Sequence, residues 1–424
     1  MTGKLFLDLA TILLVAYGMG RLFAHVRQPP VIGHIVGGIL LGPTLLGLLP
    51  GDPSAALFPP AAAAQLRVIG QLGLSVFMFT VGWDLDIARV RRHAHTAGVV
   101  SGASITLPFT LGLALAAALY PAHHGPDPRV GYWAFALFIA ASLSITAFPV
   151  LARILTETGL ANTLQGLTSL AAAAVDDVVG WTTLAIILAF VASGGVWDYS
   201  RVLLETGVFA CAMLRLVGPA MRYTLRRHAI PALGPKGTVP LILAGIFASS
   251  YGTDAIGVHA VFGAFLFGAV MPRWEAVPAL TELRHALRPV IVVLLPVYFV
   301  VSGLAVNLTN LDSADIGYLL LILLTAVLGK FGGAFAAARL EGFRAHDAAT
   351  IGVLMNARGL IEIVLLTIGL QKGIIDQQVF SLLVLMALIT TLVAPPALRL
   401  LQGQPRPTQP PRRRARDLRG VRHE

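Results

Sequence analysis

Charged residues are scarce in this chain, and cysteine is nearly absent. Only 12% of the 424 residues are Asp, Glu, Lys or Arg, whereas 56% are hydrophobic. A water-soluble domain needs more polar side chains to cover its surface, so this composition excludes a soluble globular protein. The one cysteine, Cys211, excludes an intrachain disulfide bond. The sequence therefore predicts a membrane protein.

The chain consists largely of long apolar segments. About thirteen of them are long enough to cross roughly 30 Å of hydrocarbon, at residues 5–23, 31–49, 62–83, 97–119, 130–153, 167–192, 202–221, 237–251, 255–272, 288–305, 315–338, 348–370 and 378–401. Within a bilayer, the backbone of such a segment satisfies its hydrogen bonds as a helix. We predict an all-α polytopic membrane protein with about thirteen transmembrane helices.

The basic residues predict how the chain is oriented. Lys and Arg are concentrated in alternate connections, for example at Arg89, Arg91 and Arg92. Because such residues stay on the cytoplasmic side, we expect a cell (inner) membrane protein with its N-terminus outside and its C-terminus in the cytoplasm. Residues 403–424 are rich in Pro and Arg, which predicts a disordered basic cytoplasmic tail after a transmembrane domain at 1–402. The tail suits anionic lipid headgroups, and we expect no nucleic-acid partner.

A short internal echo indicates a repeat. The pattern His34-x-Val36-x-Gly38 in the second segment returns as His259-x-Val261-x-Gly263 in the ninth. With an odd number of segments, two equal halves flank one linker helix and enter the membrane from opposite faces. This arrangement predicts inverted six-helix repeats, as in many secondary transporters.

Two adjacent carboxylates, Asp176 and Asp177, lie in the middle of the apolar stretch from Ser169 to Phe190. One carboxylate at the centre of a membrane helix costs roughly 2.5 to 3.5 kcal/mol on insertion scales, so two in succession need a partner, a water-filled cavity or a bound ion. The pair therefore favours ion transport.

Two other segments carry signs of an interrupted helix. In the fifth, Ser144 and Thr146 precede Pro149, which removes one helical hydrogen bond. In the twelfth, the corresponding polar or flexible residues are Asn356, Arg358 and Gly359. Interrupted helices at matching places in two halves indicate an ion site near the middle of the membrane, where freed backbone groups and the two hydroxyls bind a cation.

Three further charges lie deep in apolar sequence. Lys330 in the eleventh segment is the expected internal partner of an aspartate, because an unpaired buried ammonium is costly. Arg358 and Glu362 are four residues apart on one helix face, which predicts a structural ion pair. Coupled carboxylates titrate as a set, so protons and Na⁺ or K⁺ can compete for Asp176 and Asp177.

Several stretches resemble one known family, in the order in which that family has them. They are QPPVIGHIVGGILLGPTLLG (28–47), SITAFPVLARIL (144–155), AAAAVDDVVGW (171–181), GVHAVFGAFLFGAVMPR (257–273), PVYFVVSGLAVNL (296–308), GKFGGAFAAARLEG (329–342) and MNARGLIEIVLLTIGLQKGII (355–375). The chain resembles the monovalent cation:proton antiporter-2 family, with its sodium/hydrogen exchanger-like membrane domain.

The resemblance implies a core domain that moves against a dimerisation domain, a homodimer, and an ion site where two broken helices cross. It implies that Asp177 binds the cation and the proton, that Asp176 pairs with Lys330, and that two aspartates follow the electrogenic pattern. His34 stands where the family usually has Glu. The nucleotide-binding regulatory tail of the glutathione-gated relatives is not found in the sequence, and no cofactor is expected.

The leading hypothesis is a secondary active transporter, not an enzyme, that exchanges Na⁺ or K⁺ for protons by alternating access. A potassium efflux pathway without tight proton coupling is the alternative. An intramembrane aspartyl protease also uses two carboxylates, but its pair faces one bond from different helices, unlike these adjacent residues. A sensor or structural membrane protein would not need Lys330, Arg358 and the aspartates together.

Overall fold

The computed structural model describes residues 2–26, 28–84, 94–123, 125–126, 130–192, 196–226, 234–272, 278–309 and 311–402. The regular structure of these residues is entirely helical. The helices are α1 (Thr2–His25), α2 (Pro30–Leu41), α3 (Pro53–Leu57), α4 (Pro60–Asp84), α5 (Ala94–His123), α6 (Tyr132–Ser144), α7 (Phe148–Glu157), α8 (Leu164–Ala192), α9 (Val196–Ala212), α10 (Gly218–Arg226), α11 (Gly234–Ile256), α12 (Ala260–Val270), α13 (Pro278–Leu304), α14 (Ser313–Leu340), α15 (Ala345–Met355), α16 (Leu360–Gln371) and α17 (Gln377–Gln402). The predicted tail at 403–424 lies outside the described residues.

The predicted membrane segments coincide with helices. Within the described ranges, nine helical stretches are long and apolar enough to cross a bilayer. One of them, Gly237–Ile256, covers the short segment 237–251. The segments 130–153 and 348–370 are each divided into two helices, α6 with α7 and α15 with α16. The all-helical polytopic architecture is confirmed, while the total of about thirteen crossings stays a prediction.

The helices form two groups whose packing repeats. In the first group, α2 packs on α1 and α13, and α12 packs on α11 and α4 in the same way. In the second group, α5 and α14 pair at the centre, with α6 against α5 and α15 against α14. If the helices of the two halves are matched in chain order, so that α1, α2, α4, α5 and α6 correspond to α11, α12, α13, α14 and α15, each of these contacts has its counterpart. This is the packing expected of the predicted repeats.

Glycines let the helices of the first group approach closely. A Cβ on Gly38 of α2 would overlap the carbonyl oxygen of Val300 and lie 2.8 Å from the Cα of Gly303 on α13. A side chain at this position therefore has no room without moving one helix away from the other. The echoed glycine, Gly263 of α12, faces the backbone of Ser249 on α11 in the same manner.

Gly38→Ala should destabilise the protein by about 1–3 kcal/mol, because the added methyl separates α2 from α13. The matched control is Gly18→Ala on α1, where a Cβ would meet nothing within 4 Å. That control should be neutral or slightly stabilising, by at most about 1 kcal/mol, since Ala is the better helix former. Thermal unfolding of both purified variants in detergent checks the difference, and equal melting temperatures would contradict this packing.

Histidine–carboxylate contacts fasten both ends of the α5–α14 pair. At one end, Glu341 accepts a hydrogen bond from Thr96 Oγ1 at 2.7 Å and contacts His95 Nδ1 at 3.3 Å. The hydrogen bond from Thr96, and to a smaller extent the contact with His95, holds the pKa of Glu341 below its ordinary value. At the other end, the buried His123 lies 3.4 Å from both Asp315 and Asp376. Contacts at both ends therefore hold α5 against α14, and the buried charged residues of α14 lie between these ends.

Candidate functional site

The two interrupted helices touch each other at their breaks. Helix α6 ends at Ser144 and α7 begins at Phe148, while α15 ends at Met355 and α16 begins at Leu360. Between the breaks, the Ala147 amide donates to the Ala357 carbonyl at 3.2 Å, and Thr146 Oγ1 lies 3.0 Å from the Met355 carbonyl. The crossing of two broken helices that the resemblance implied is therefore present. At this crossing, the ends of four helices and their unpaired backbone groups lie close together.

Proline and glycine occupy defined places in these breaks. Pro149 lies in the first turn of α7, where a missing amide hydrogen costs little. The proline thus starts the second helix of the pair. Gly359 immediately precedes α16, and a Cβ there would lie 2.6 Å from a methyl of Val150. Asn356 follows α15, and its side-chain oxygen is buried without a partner among the described residues.

Two buried cations neutralise the carbonyl end of α6. Arg358 donates through Nη1 to the Ser142 carbonyl at 2.9 Å and through Nη2 to the Leu143 carbonyl at 2.6 Å. Lys330 Nζ donates to the Ser144 carbonyl. Both cations are fully buried. Positive charge at a helix C-terminus is favourable because the last carbonyls are unpaired and point outward.

Arg358 also pairs with Glu362, which lies in the first turn of α16. Arg358 itself lies in the break before α16, so the two residues do not share one helix face as the spacing predicted. Arg358 Nη1 lies 3.1 Å from Glu362 Oε1, and both side chains are buried. The planar guanidinium thus serves two carbonyls and one carboxylate together, in a fork geometry that a lysine ammonium does not have. This geometry supports the structural ion pair that the spacing predicted.

Asp176 is surrounded by donors from two other helices and from the α6–α7 break. Its Oδ2 lies 2.9 Å from Lys330 Nζ of α14 and 2.6 Å from Thr146 Oγ1 at the α6–α7 break. Its Oδ1 lies 2.5 Å from Ser101 Oγ of α5, and Ser104 Oγ lies 3.5 Å from Oδ2. The carboxylate is 1% exposed. A carboxylate with this many donors has little capacity left for another ligand.

Asp177 has a different environment although it is the next residue. Successive residues on a helix point about 100° apart, so the two side chains face different neighbours. Asp177 is 2% exposed. Among the described residues its one assigned donor is the Phe148 amide, 3.4 Å from Oδ1 at the start of α7. A helix N-terminus attracts negative charge, and most of the acceptor capacity of this carboxylate stays available for a proton or a cation.

Some of the residues predicted as cation ligands contact each other in the structure, whereas others form hydrogen bonds elsewhere. Thr146 and Lys330 each contact Asp176 Oδ2, and the second of these contacts is the pairing that the resemblance implied. The Ser144 hydroxyl donates to the Ala140 carbonyl of its own helix, while the backbone carbonyl of Ser144 accepts from Lys330. A cavity beside Asp176 and Ser144 is otherwise lined mainly by apolar side chains such as Ile105 and Phe109. No cluster of three or more His, Cys, Asp or Glu fit to hold a metal ion occurs in the described part of the chain.

Two site residues, Ser101 and Ser104, were missed by the sequence reasoning. They lie three residues apart in an apolar helix and therefore share one face. That spacing is a usable signal, but hydroxyls are common in membrane helices and usually bond to their own backbone. Only the packing of α5 against α8 and α14 reveals that this face points at Asp176.

Comparisons with known proteins identify relatives of the whole membrane domain. The family described as "Sodium/hydrogen exchanger, transmembrane" matches residues 9–401. Cation/H(+) antiporter 20 of Arabidopsis thaliana is 37% identical over 98% of this chain, and K(+)/H(+) antiporter 1 of Saccharomyces cerevisiae is 36% identical over 94%. Na(+)/H(+) antiporter NhaS4 of Synechocystis sp. is 36% identical over 93%.

The chain covers different shares of these relatives, and its fold is similar to that of a solved structure. The chain spans 50% and 46% of the plant and yeast relatives but 97% of the Synechocystis one. The solved structure of the sodium proton antiporter MjNhaP1 from Methanocaldococcus jannaschii superposes with a TM-score of 0.66 at 16% identity, covering 94% of this chain and 100% of that one. At that identity the likeness concerns the fold alone.

Proposed function

This chain belongs to the sodium/hydrogen exchanger family of transmembrane proteins, and we propose that it exchanges a monovalent cation, Na⁺ or K⁺, for protons. The observation that carries the proposal is the contrast between its two adjacent aspartates. Asp176 has four side-chain donors, whereas Asp177 is buried with a single backbone donor. The Asp176 carboxylate is thus held in place by its donors, whereas the Asp177 carboxylate can exchange a proton for a cation.

Exchange follows from competition at Asp177. A buried carboxylate is stabilised either by a proton or by a bound cation, and one site cannot hold both at full strength. The cation is a substrate here, with Asp177 as its main ligand and Asp176 contributing charge nearby. Thr146 and the backbone at the crossing contribute oxygen atoms, while Lys330 balances Asp176. Transport then requires the crossing to open alternately to either side of the membrane.

The orientation and assembly belong to the same proposal. We propose that α5–α8 and α14–α17 form the moving core and that the other group forms the interface of a homodimer, as the family resemblance implies. The distribution of Lys and Arg places the N-terminus outside and the C-terminus in the cytoplasm of a cell membrane. Residues 1–402 act as the transmembrane domain, and residues 403–424 act as its cytoplasmic tail.

Everted membrane vesicles from a host without its own antiporters test the proposal. The vesicle interior is acidified, and a pH-sensitive dye is followed while NaCl, KCl or LiCl is added outside. We expect dye dequenching with at least one salt, at a rate that increases with the imposed proton gradient. Vesicles from the same host without the protein are the control. No dequenching with any of the three salts, across a range of pH, would contradict the proposal and favour the uncoupled efflux pathway.

A further inference from the structure

A cavity of about 170 Å³ lies among α4, α11 and α12, in the helix group that does not contain the two aspartates. The polar residues that line it are Gln71 and Ser75 of α4, Ser250, Tyr251 and Asp254 of α11, and His259 immediately before α12. None of these residues belongs to the crossing of the broken helices. The cavity is therefore separate from the site of the proposed exchange.

Ser250 gives this cavity a hydrogen-bonding group that the described protein does not use. The side chain is 6% exposed, and its Oγ has no hydrogen-bond partner among the described residues. A hydroxyl on a membrane helix usually donates to a carbonyl about one turn earlier. Thr253 does so, since its Oγ1 lies 3.1 Å from the Ser250 carbonyl. A buried hydroxyl without a partner costs stability, so a ligand that bonds to Ser250 Oγ gains what the protein lacks.

Asp254 gives the cavity a negative charge. It is the charged residue of the lining that the structure describes, and it is exposed. It lies in the last turn of α11, where the outward-pointing carbonyls also favour positive charge. At the spacing that relates His34 to His259, Asp254 corresponds to Pro29, so the repeat does not require a charge at this place. The cavity is therefore suited to a cation.

The volume and the lining favour an organic cation over a bare metal ion. An apolar cavity of roughly 150 Å³ holds benzene, so a cavity of this size accommodates about six to eight non-hydrogen atoms. The ring of Tyr251, which is 75% exposed, offers a face that attracts ammonium groups. Gln71 and Ser75 supply oxygen atoms that accept hydrogen bonds from an ammonium.

We propose that this cavity binds an organic ammonium group, with Asp254 as its counter-charge and Ser250 as its hydrogen-bonding partner deeper inside. The inference goes beyond the proposed exchange, because it assigns a second ligand to the other helix group. Asp254 follows the apolar segment 237–251 and lies where the chain leaves it. The ammonium can therefore come from a small amine in water or from the ethanolamine headgroup of a phospholipid.

The test uses benzylammonium as the probe and benzyl alcohol as its uncharged match. The melting temperature of the purified full chain in detergent is measured against the concentration of each compound, at constant ionic strength. We expect a saturable increase with benzylammonium alone, because a ligand of the folded state stabilises it. Asp254→Asn should weaken the apparent affinity at least about tenfold, since a bond to a charged group is lost. Glu205→Gln, which removes an exposed carboxylate on α9, should leave the affinity unchanged.

Ser250→Ala separates binding from packing. Without the probe, this variant should melt at the wild-type temperature or above it, because an unpaired buried hydroxyl has been removed. With the probe, its apparent affinity should be about threefold weaker or more. A hydroxyl with a purely structural role would give the opposite pattern, with a lower melting temperature and an unchanged affinity.

Nanodiscs of phosphatidylglycerol, with or without phosphatidylethanolamine, distinguish the two sources of the ammonium. If the lipid headgroup occupies the cavity, phosphatidylethanolamine should weaken the apparent affinity for benzylammonium. If the natural ligand is a free amine, the affinity should be equal in both. No saturable effect of benzylammonium, an equal effect of benzyl alcohol, or wild-type affinity in Asp254→Asn would overturn the inference. None of these measurements requires transport, so their outcome is independent of the antiport proposal.

Discussion

Asp177→Asn should abolish exchange at every pH, leaving the signal of vesicles that lack the protein. Asparagine has nearly the same shape and keeps an oxygen for the Phe148 amide, which donates to Oδ1 at 3.4 Å in the native protein. It can neither bind a transported proton nor supply a negative charge for a cation. Since the burial cost of the charge is removed, the fold should be kept. Dye dequenching in everted vesicles and the melting temperature in detergent are the two measurements.

Glu205→Gln is the matched control for this loss of a carboxylate. Glu205 on α9 pairs with Arg201 at 2.7 Å, and the side chains are 36% and 73% exposed. Exposed pairs contribute little, about 0–1 kcal/mol, so this variant should exchange like the wild type. Exchange at the wild-type rate in Asp177→Asn would show that the proton and cation use another group.

The second large effect is expected at Arg358. Arg358→Met removes the cation from the Ser142 and Leu143 carbonyls and leaves Glu362 buried without its partner. Removing one member of a buried ion pair costs about 3–5 kcal/mol. We therefore expect a protein that melts at a much lower temperature or does not accumulate in the membrane. Arg358→Lys should recover little of this loss, because an ammonium cannot reproduce the planar set of contacts.

The control for this prediction is an arginine at the surface. Arg21 on α1 is exposed and donates to the Tyr17 hydroxyl at 3.2 Å. Arg21→Ala should change the free energy of unfolding by no more than about 0.5 kcal/mol. The double variant Arg358→Met, Glu362→Met tests the cause, since two apolar side chains leave no unpaired charge and should recover part of the stability. A wild-type melting temperature for Arg358→Met alone would contradict the structural part assigned to this pair.

The sequence was informative about the site where residues were improbable in a bilayer. Asp176, Asp177, Lys330 and Arg358 each demanded a partner or a function, and the structure gives three of them charged partners. Residues that are ordinary in a membrane helix gave no such signal. Ser101 was overlooked for this reason, and the Lys330 contact of the Ser144 backbone carbonyl was not predicted. A hydroxyl can bond to its own helix or to a neighbour, and local sequence does not choose between them.

Composition and spacing alone determined the membrane class, the helical segments and the two places where helices break. These properties depend on the bilayer and on neighbouring residues in the chain, so they can be read locally. The tertiary structure decided which aspartate is fixed and which is free. Asp176 and Asp177 have identical chemistry and adjacent positions, and they differ only in what α5, α7 and α14 place against them. That difference arises from contacts across the fold, which no segment of the sequence contains by itself.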